Sequence, residues 1–591
     1  MCGLAGEVRF DGRSASPDRL AVMANAMVSR GPDAEGLFVQ SGLGLAHRRL
    51  SIIDLSDRAQ QPMVDAELGL TIAYNGAIYN YRELKAELQS AGYRFFSDGD
   101  TEVILKAFHK WGAACVERFA GMFAFAIWER ASGTVTLARD RLGIKPMYLA
   151  DVPGGLRFAS SLPALLKAGD ISTEIDPVAF NYYMNFHAVV PAPHTIVKGV
   201  RKLPPATVLT IEADGKRRER VYWAPAYETR DDERGLGVED WADRVLESLR
   251  MAVRRRLVAD VPVGVLLSGG VDSSLITGLI AEQSDAPLET FSVGFESVGD
   301  EVGDEFRYSD IIAKQFDTVH HQIRVNSQQR LLPSLPSCIA AMSEPMVSHD
   351  CIGFYLLSEE VSKRVKVVQS GQGADEVFGG YHWYPPLLDD STGPADYARL
   401  FRDRDHDAFL AAAGPAMRDG DHTAAFLKGA FDAPGAARTI DKALRLDTNV
   451  MLVDDPVKRV DNMTMAWGLE ARVPFLDHDL VELAARIPAE FKVGEGGKYV
   501  LKQAARRVVP SSVIDRPKGY FPVPALKYIR GHTLEHVRDI LNDRRAQERG
   551  LFDRTWLDSR LQDPEAFITP LGGSELWQAA LLEAWLQAHA V

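Results

Sequence analysis

The sequence predicts two domains of different class: an α+β layered domain, then an α/β domain built on a parallel sheet. Short β-like runs crowd residues 1–220, with two helical patterns among them. A polar, turn-rich stretch follows over 221–240. Within 241–591, two apolar runs each end in a Gly-rich loop. A chain of 591 residues exceeds one hydrophobic core, because domains hold about 100–200 residues.

In the first domain, LGLAHRRLSIIDL (43–55), LTIAYNGAIYNY (70–81) and TVTLARD (134–140) are alternating or short apolar runs bounded by Gly, Asn and Asp. That pattern predicts antiparallel strands. YRELKAELQSAG (81–92) and TEVILKAFHKWG (101–112) have helical spacing, the second starting after Asp100 with Thr101 and Glu102 in its first turn. Beyond the linker, a helical stretch runs from Trp241 to Leu257. VPVGVLL (261–267) reads as a buried strand, SGGVDSS (268–274) as a loop and LITGLIAEQ as a helix; VKVVQS (365–370) enters a second such loop. Strand, Gly loop, helix is the grammar of a parallel sheet with its ligand at the carboxyl ends of the strands. The Ala-rich, charged stretch 385–450 predicts packing or surface helices.

Composition is that of a globular protein, with 46% hydrophobic and 25% charged residues. The longest apolar run, FAGMFAFAIW (119–128), falls well short of the roughly 18 residues of a membrane span. The start, MCGLAGEVRFDG, lacks a basic segment followed by a long apolar one, so a cytoplasmic protein without membrane contact is expected. Four cysteines without CxxC spacing predict neither a disulfide framework nor structural zinc. A net charge of −14 argues against nucleic acid and leaves small-molecule substrates.

Three motifs carry chemistry. Removal of Met1 exposes an α-amine on Cys2, and such an amine titrates near 7.7–8. It can take the thiol proton directly or through a water, which is N-terminal-nucleophile chemistry without a separate histidine base. Gly3, Ala5 and Gly6 leave a substrate room to approach. Asn75-Gly76 alone reads as a hairpin turn. In SGGVDSS, Gly269 and Gly270 permit a tight turn. Backbone N–H groups and the hydroxyls of Ser268, Ser273 and Ser274 can cradle phosphates at a helix N-terminus. No GKS or GKT is present, so this is not a Walker A loop. Asp272 suits Mg²⁺ bound against phosphate oxygens. SGQGADEVFGGY (370–381) repeats the arrangement with Asp375.

RGPD (30–33), AHRRLSIIDLS (46–56), YNGAIYNYREL (74–84), DGDTEVIL (98–105) and DRLGIKPMY (140–148) follow MCGLAG in order. Together they resemble the class II glutamine amidotransferase domain. The two Gly-rich loops, with GDEFRYSD (303–310), DNMTMAWGLEARVPFLDHDLVE (461–482) and RPKGYFPVP (516–524), resemble the asparagine synthetase domain. The resemblance implies an αββα N-terminal-nucleophile hydrolase sandwich over 1–220, a linker over 221–240 and an ATP-pyrophosphatase domain over 241–591. It implies that the Cys2 thiolate attacks glutamine, that Asn75 and Gly76 form the oxyanion hole, and that Arg49 and Asp100 hold the α-carboxylate and α-ammonium. It places Leu266 and Val293 at adenine and ribose, and Ser370 and Gly371, beside the SGGVDSS loop, on the nucleotide. Asp272 and Asp375 would hold Mg²⁺, and Lys498 would contact phosphate or the adenylate carbonyl. ATP would activate a carboxylate as its adenylate, and ammonia would reach it through a sheltered interdomain passage. Relatives are often homodimers. Where the family often has Asn-Gly-Glu, this chain has Ala77.

Asparagine synthetases usually carry an acid where this chain has Gln372, and Gln can be neither base nor anion. EVRFDG, FASSLPALLKAG, MSEPMVSHDCI and QSGQGADEVFGGYHWYP look like the N-acetylglutaminylglutamine amidotransferase branch, whose product is a neutral osmoprotectant. Ser348, His349, Gln372 and Tyr381 are then acceptor-pocket candidates. The alternatives are amidation of aspartate to asparagine, and a stand-alone glutaminase with an inactive ATP domain.

Overall fold

The computed structural model describes residues 2–284, 286–296, 303–389, 391–516 and 529–591. Most of the RPKGYFPVP block lies outside the described residues.

Among the described residues, seventeen strands form three sheets. The first is antiparallel, containing β1 (Gly3–Arg9), β2 (Ala34–Gln40), β3 (Leu43–Arg49), β8 (Tyr148–Val152), β9 (Gly155–Ala159) and β10 (Arg201–Lys202) in the order β10-β8-β9-β1-β3-β2. The second runs β12-β11-β7-β6-β5-β4 through β4 (Met63–Asp65), β5 (Leu70–Ile78), β6 (Gly121–Glu129), β7 (Val135–Arg139), β11 (Thr207–Ile211) and β12 (Arg217–Val221). These two sheets face each other. Leu4, Val8 and Leu45 from one pack against Ala73, Ala126 and Leu137 from the other. Helices Tyr81–Ser90 and Asp100–Trp111 cover the outer face of the second sheet through Leu84, Leu88, Ile104 and Phe108. Helix Pro17–Asn25 and helix Leu162–Lys167 cover the first through Leu20, Met23 and Leu165. The result is the αββα sandwich.

The third sheet is wholly parallel. It contains β13 (Val263–Leu266), β14 (Glu289–Phe295), β15 (Val319–Val325), β16 (Val367–Gln369) and β17 (Glu470–Arg472), in the order β15-β14-β13-β16-β17. Its order reverses direction at β13, which lies between β14 and β16, so ligand is expected beyond the carboxyl ends of β13 and β16. Val265 of β13 is level with Gln369 of β16, which brings the loops that follow them side by side.

Local differences from the sequence reading have local causes. SGGVDSS is not all loop: the helix Val271–Ala281 starts inside it, with Gly270 extended at its N-cap. Asp272, Ser273 and Ser274 therefore lie on a first helical turn. Asp375 likewise sits on the short helix Ala374–Phe378. The linker does not simply trail over the surface. Tyr227 within it is buried and pairs with Ala436, and the following helix begins at Val238. No helix among the described residues is long and apolar enough to cross a membrane.

The two halves share a buried seam. Leu50, Ile52, Met122 and Ile144 of the first join Val457, Met465 and Val473 of the second in one apolar cluster. Charges lock the same seam. Asp461 receives Arg30 at 2.9 Å and Lys145 at 3.0 Å, and Lys202 reaches Asp454 at 2.6 Å and Glu344 at 3.3 Å.

Candidate active sites

Cys2 precedes β1 and is 6% exposed. Its backbone nitrogen donates to Asn75 Oδ1 at 2.9 Å. Asn75 lies fully buried on β5, and its Nδ2 reaches Ser160 Oγ only at 3.5 Å. That is the weak limit of a hydrogen bond, so the amide N–H groups are the ones a developing oxyanion can claim. At Gly76 a Cβ would overlap the carbonyl of Met122 on β6, so only glycine lets the strands close here.

Arg49 ends β3 and donates to the carbonyls of Ser56, at 3.0 Å, and Asp54. Asp100 opens the helix Asp100–Trp111 and accepts from the Tyr74 hydroxyl at 2.8 Å and the Ile78 N–H at 2.9 Å. Burial pushes the Asp100 carboxyl above its ordinary value. Cys2, Arg49, Gly76 and Asp100 share one small cavity of about 30 Å³, room for a single water.

Three features of this site escaped the sequence reading. Glu470 and Arg472 come from β17 of the other half and line the same cavity, paired with each other at 2.5 Å. The third is His47, 1% exposed, on β3. Burial pushes the Cys2 thiol up, and His47 leads the influences that bring it down to about 7. Strand spacing offered a signal in each case. His47 and Arg49 are two apart on one strand, as are Glu470 and Arg472 on another, and residues two apart share a face.

The second site opens where β13 and β16 end. A cavity of about 370 Å³ is lined by Leu266, Ser268, Gly270, Asp272, Ser273, Val293, Ser370, Gly371, Gln372, Asp375, Tyr381 and Lys498. Gly269 takes φ +73°, a left-handed turn, and a Cβ there would crowd the Ser309 nitrogen at 2.7 Å. A Cβ at Gly371 would lie 3.0 Å from Asp272 Cβ, so the two loops nearly touch. Four expected residues are outside this lining. Gly269 turns between two lining residues, Ser274 is fully buried one residue further along the helical turn, and Ser348 and His349 are absent from the described lining, whereas Asp350 is present.

Lys498 is the centre of the charge arrangement. Its ammonium lies 2.6 Å from Asp272 and 2.8 Å from Asp375. Burial alone would lower its pKa, but the two carboxylates overturn that and hold it above the ordinary lysine value. Its backbone is left-handed at φ 56°, a strained conformation for a side chain that must turn inward. Two aspartates that converge on one cation offer hard oxygen ligands, a donor set that fits Mg²⁺. Arg516 and Glu305, also in the lining, pair at 2.6 Å.

Residues 1–223 match the family model described as glutamine amidotransferase domain, and residues 244–587 match that of asparagine synthase. Asparagine synthetase [glutamine-hydrolyzing] 1 of Bacillus subtilis is 32% identical, covering 92% of this chain and 90% of its own. Asparagine synthetase [glutamine-hydrolyzing] 3 of the same organism is 29% identical over 100% of this chain and 98% of its own. Asparagine synthetase B [glutamine-hydrolyzing] of Escherichia coli is 28% identical over 88% and 82%. Two sites of this kind in one chain, with matches along nearly all of it, place the protein in the glutamine-hydrolysing asparagine synthetase family, as an ATP-dependent carbon–nitrogen ligase that uses glutamine as its nitrogen donor.

Proposed function

We propose that the enzyme adenylates the terminal carboxylate of N-acetylglutaminylglutamine and amidates it with glutamine-derived ammonia, forming a neutral osmoprotectant amide. The observation that carries this reading is Gln372. It lines the ATP-side cavity at a position where an acid is usual in the family, beside Tyr381. An amide there suits an amide-rich acceptor, because it both donates and accepts hydrogen bonds.

In the first half-reaction the Cys2 thiolate attacks the side-chain amide carbon of glutamine. Arg49 and Asp100 orient the two α-substituents, and Asn75 Nδ2 with the Gly76 N–H receives the oxyanion. Each such donor is worth about 2.7–4 kcal/mol. In the second, a carboxylate oxygen of the acceptor attacks the α-phosphorus of ATP, and pyrophosphate leaves. Ser268, Gly270, Ser273, Ser370 and Gly371 cradle the phosphates, and Leu266 and Val293 line the nucleoside end. Lys498 offsets negative charge as it develops. Asp272 and Asp375 are the residues that would hold Mg²⁺, which supplies charge neutralisation for the leaving pyrophosphate. Ammonia then attacks the acyl carbon and AMP departs. The apolar seam of Leu50, Ile52, Met122, Ile144, Val457 and Met465 lies at the domain junction, and apolar surroundings favour neutral ammonia over ammonium.

A second reading, aspartate as acceptor, is favoured by the relatives named asparagine synthetase. Enzyme, ATP, Mg²⁺ and glutamine are mixed with either N-acetylglutaminylglutamine or aspartate, and AMP is measured. The dipeptide is expected to stimulate AMP formation; stimulation by aspartate alone sinks the first reading.

A further inference from the structure

We propose that Arg516 binds the β- and γ-phosphates of ATP and stays on the pyrophosphate as it leaves, with Glu305 and Tyr308 holding it in place. Arg516 and Glu305 both line the larger cavity. The Arg516 side chain is only 9% exposed, so its charge is directed at this cavity and not at bulk solvent. Glu305 accepts from Nη1 at 2.6 Å and from Nη2 at 3.1 Å. The guanidinium also lies over the Tyr308 ring, 4.5 Å from its centre. A planar cation gripped along one edge and on one face is pre-organised for whatever meets its other edge.

That grip sets the guanidinium over the first Gly-rich loop. Glu305 leads into the helix Phe306–Gln315, which carries Tyr308, and a Cβ at Gly269 would lie 2.8 Å from Tyr308 Cβ. A Cβ at Gly270 would lie 3.7 Å from Arg516 Nη2. Gly270 caps the helix Val271–Ala281, so the arginine stands at a helix terminus whose backbone N–H groups point outward. A guanidinium has five N–H donors, of which Glu305 takes two. The other donors suit phosphate oxygens, which arginine matches in geometry as well as charge. Lys498, by comparison, is divided between Asp272 and Asp375. One ammonium between two carboxylates leaves a net negative charge, and a second cation beside the loop offsets the repulsion of an incoming triphosphate.

During adenylation a carboxylate oxygen of the acceptor forms a bond to the α-phosphorus. The bond from that phosphorus to the oxygen bridging it to the β-phosphate breaks, and the electron pair stays on the bridging oxygen. Acyl adenylate and pyrophosphate result, and no proton moves. Arginine does not give up its proton in a protein, so Arg516 acts through charge and through hydrogen bonds that strengthen as negative charge gathers on the leaving group.

The inference rests on the reading that SGGVDSS cradles the phosphates, and it is independent of which acceptor is correct. Calorimetric titration of the full chain with ATP, inorganic pyrophosphate and AMP, each with Mg²⁺, needs no acceptor. Arg516→Met is expected to lose at least ~10-fold in affinity for ATP and for pyrophosphate, and to keep the parent affinity for AMP, which has neither phosphate. Arg516→Lys keeps the charge without the fork and should fall between the two. Glu305→Ala should shift pyrophosphate affinity in the parent and add nothing in the Arg516→Met background, because Glu305 acts through the guanidinium. Unchanged pyrophosphate affinity in Arg516→Met, or an equal loss for AMP, overturns the proposal. An additive effect of Glu305→Ala overturns its positioning part. Ser273→Ala tells the two failures apart. If it leaves ATP affinity unchanged, the reading of the loop falls; if it weakens ATP where Arg516→Met does not, only the role of Arg516 falls. Should Arg516→Met not fold, the comparison of pyrophosphate with AMP in Arg516→Lys decides.

Discussion

The two sites of this chain handle charge in opposite ways. On the ATP side a roomy cavity of about 370 Å³ has its charges fixed, with Lys498 held protonated between Asp272 and Asp375. On the glutamine side about 30 Å³ closes around a thiol whose pKa lies near 7, so that its charge can switch at neutral pH. The first site must stabilise negative phosphates throughout a reaction, which suits a permanent cation. The second must generate and quench an anion in every turnover, which suits a group poised near the working pH.

Substitutions can separate the sites, and the largest effect is expected at the nucleophile. Cys2→Ala should abolish glutamine-dependent product while free ammonium still supports synthesis; losing both would show that the sites are not separable. Lys498→Met leaves two carboxylates facing each other without their cation. Pyrophosphate release should fall by about 10²–10³, with glutaminase turnover continuing. Asp272→Asn should act in the same direction.

Asp461→Asn tests the seam rather than either site. Burial raises the Asp461 carboxyl, but Arg30 and Lys145 outweigh burial and hold it below 3.8. Removing one partner of a buried pair costs about 3–5 kcal/mol, visible as a lower Tm at neutral pH. Because the folded-state pKa is depressed, that stabilisation is present above 3.8 and fades as pH falls through the folded value. The Tm gap between parent and variant should therefore narrow in acid, and a constant gap would assign the loss to packing instead. The smallest expected effect belongs to Glu470→Gln, with KM for glutamine rising about tenfold, or ~1.4 kcal/mol. An unchanged KM would remove the ATP half from the glutamine pocket.

What could be read in advance follows from distance along the chain. Cys2, the Asn75-Gly76 pair and both phosphate loops are local motifs whose chemistry is complete within a few residues. The parallel sheet was legible because each Gly-rich loop follows an apolar run, although Asp272 and Asp375 turned out to begin helices. His47 and Glu470 were not legible in that way. Each acts on a partner brought alongside by strand pairing or domain docking, 45 and 468 positions from Cys2. Ser348 is a different case: its position in a motif made it an acceptor-pocket candidate, whereas Asp350 is the residue of that segment in the described cavity lining.

The three residues of β17 have a practical consequence for anyone dissecting the enzyme. Glu470 and Arg472 furnish a wall of the proposed glutamine pocket, while the Arg472 carbonyl accepts from the Ser370 N–H, 2.9 Å away, at the start of the second Gly-rich loop. A fragment cut after residue 220 would contain every glutaminase motif and still lack that wall. It would bare Leu50, Ile52 and Ile144 to solvent and strand Arg30 and Lys145 without their counter-ion. Excising the amidase for use on its own therefore calls for a rebuilt surface, not merely a well-chosen end point.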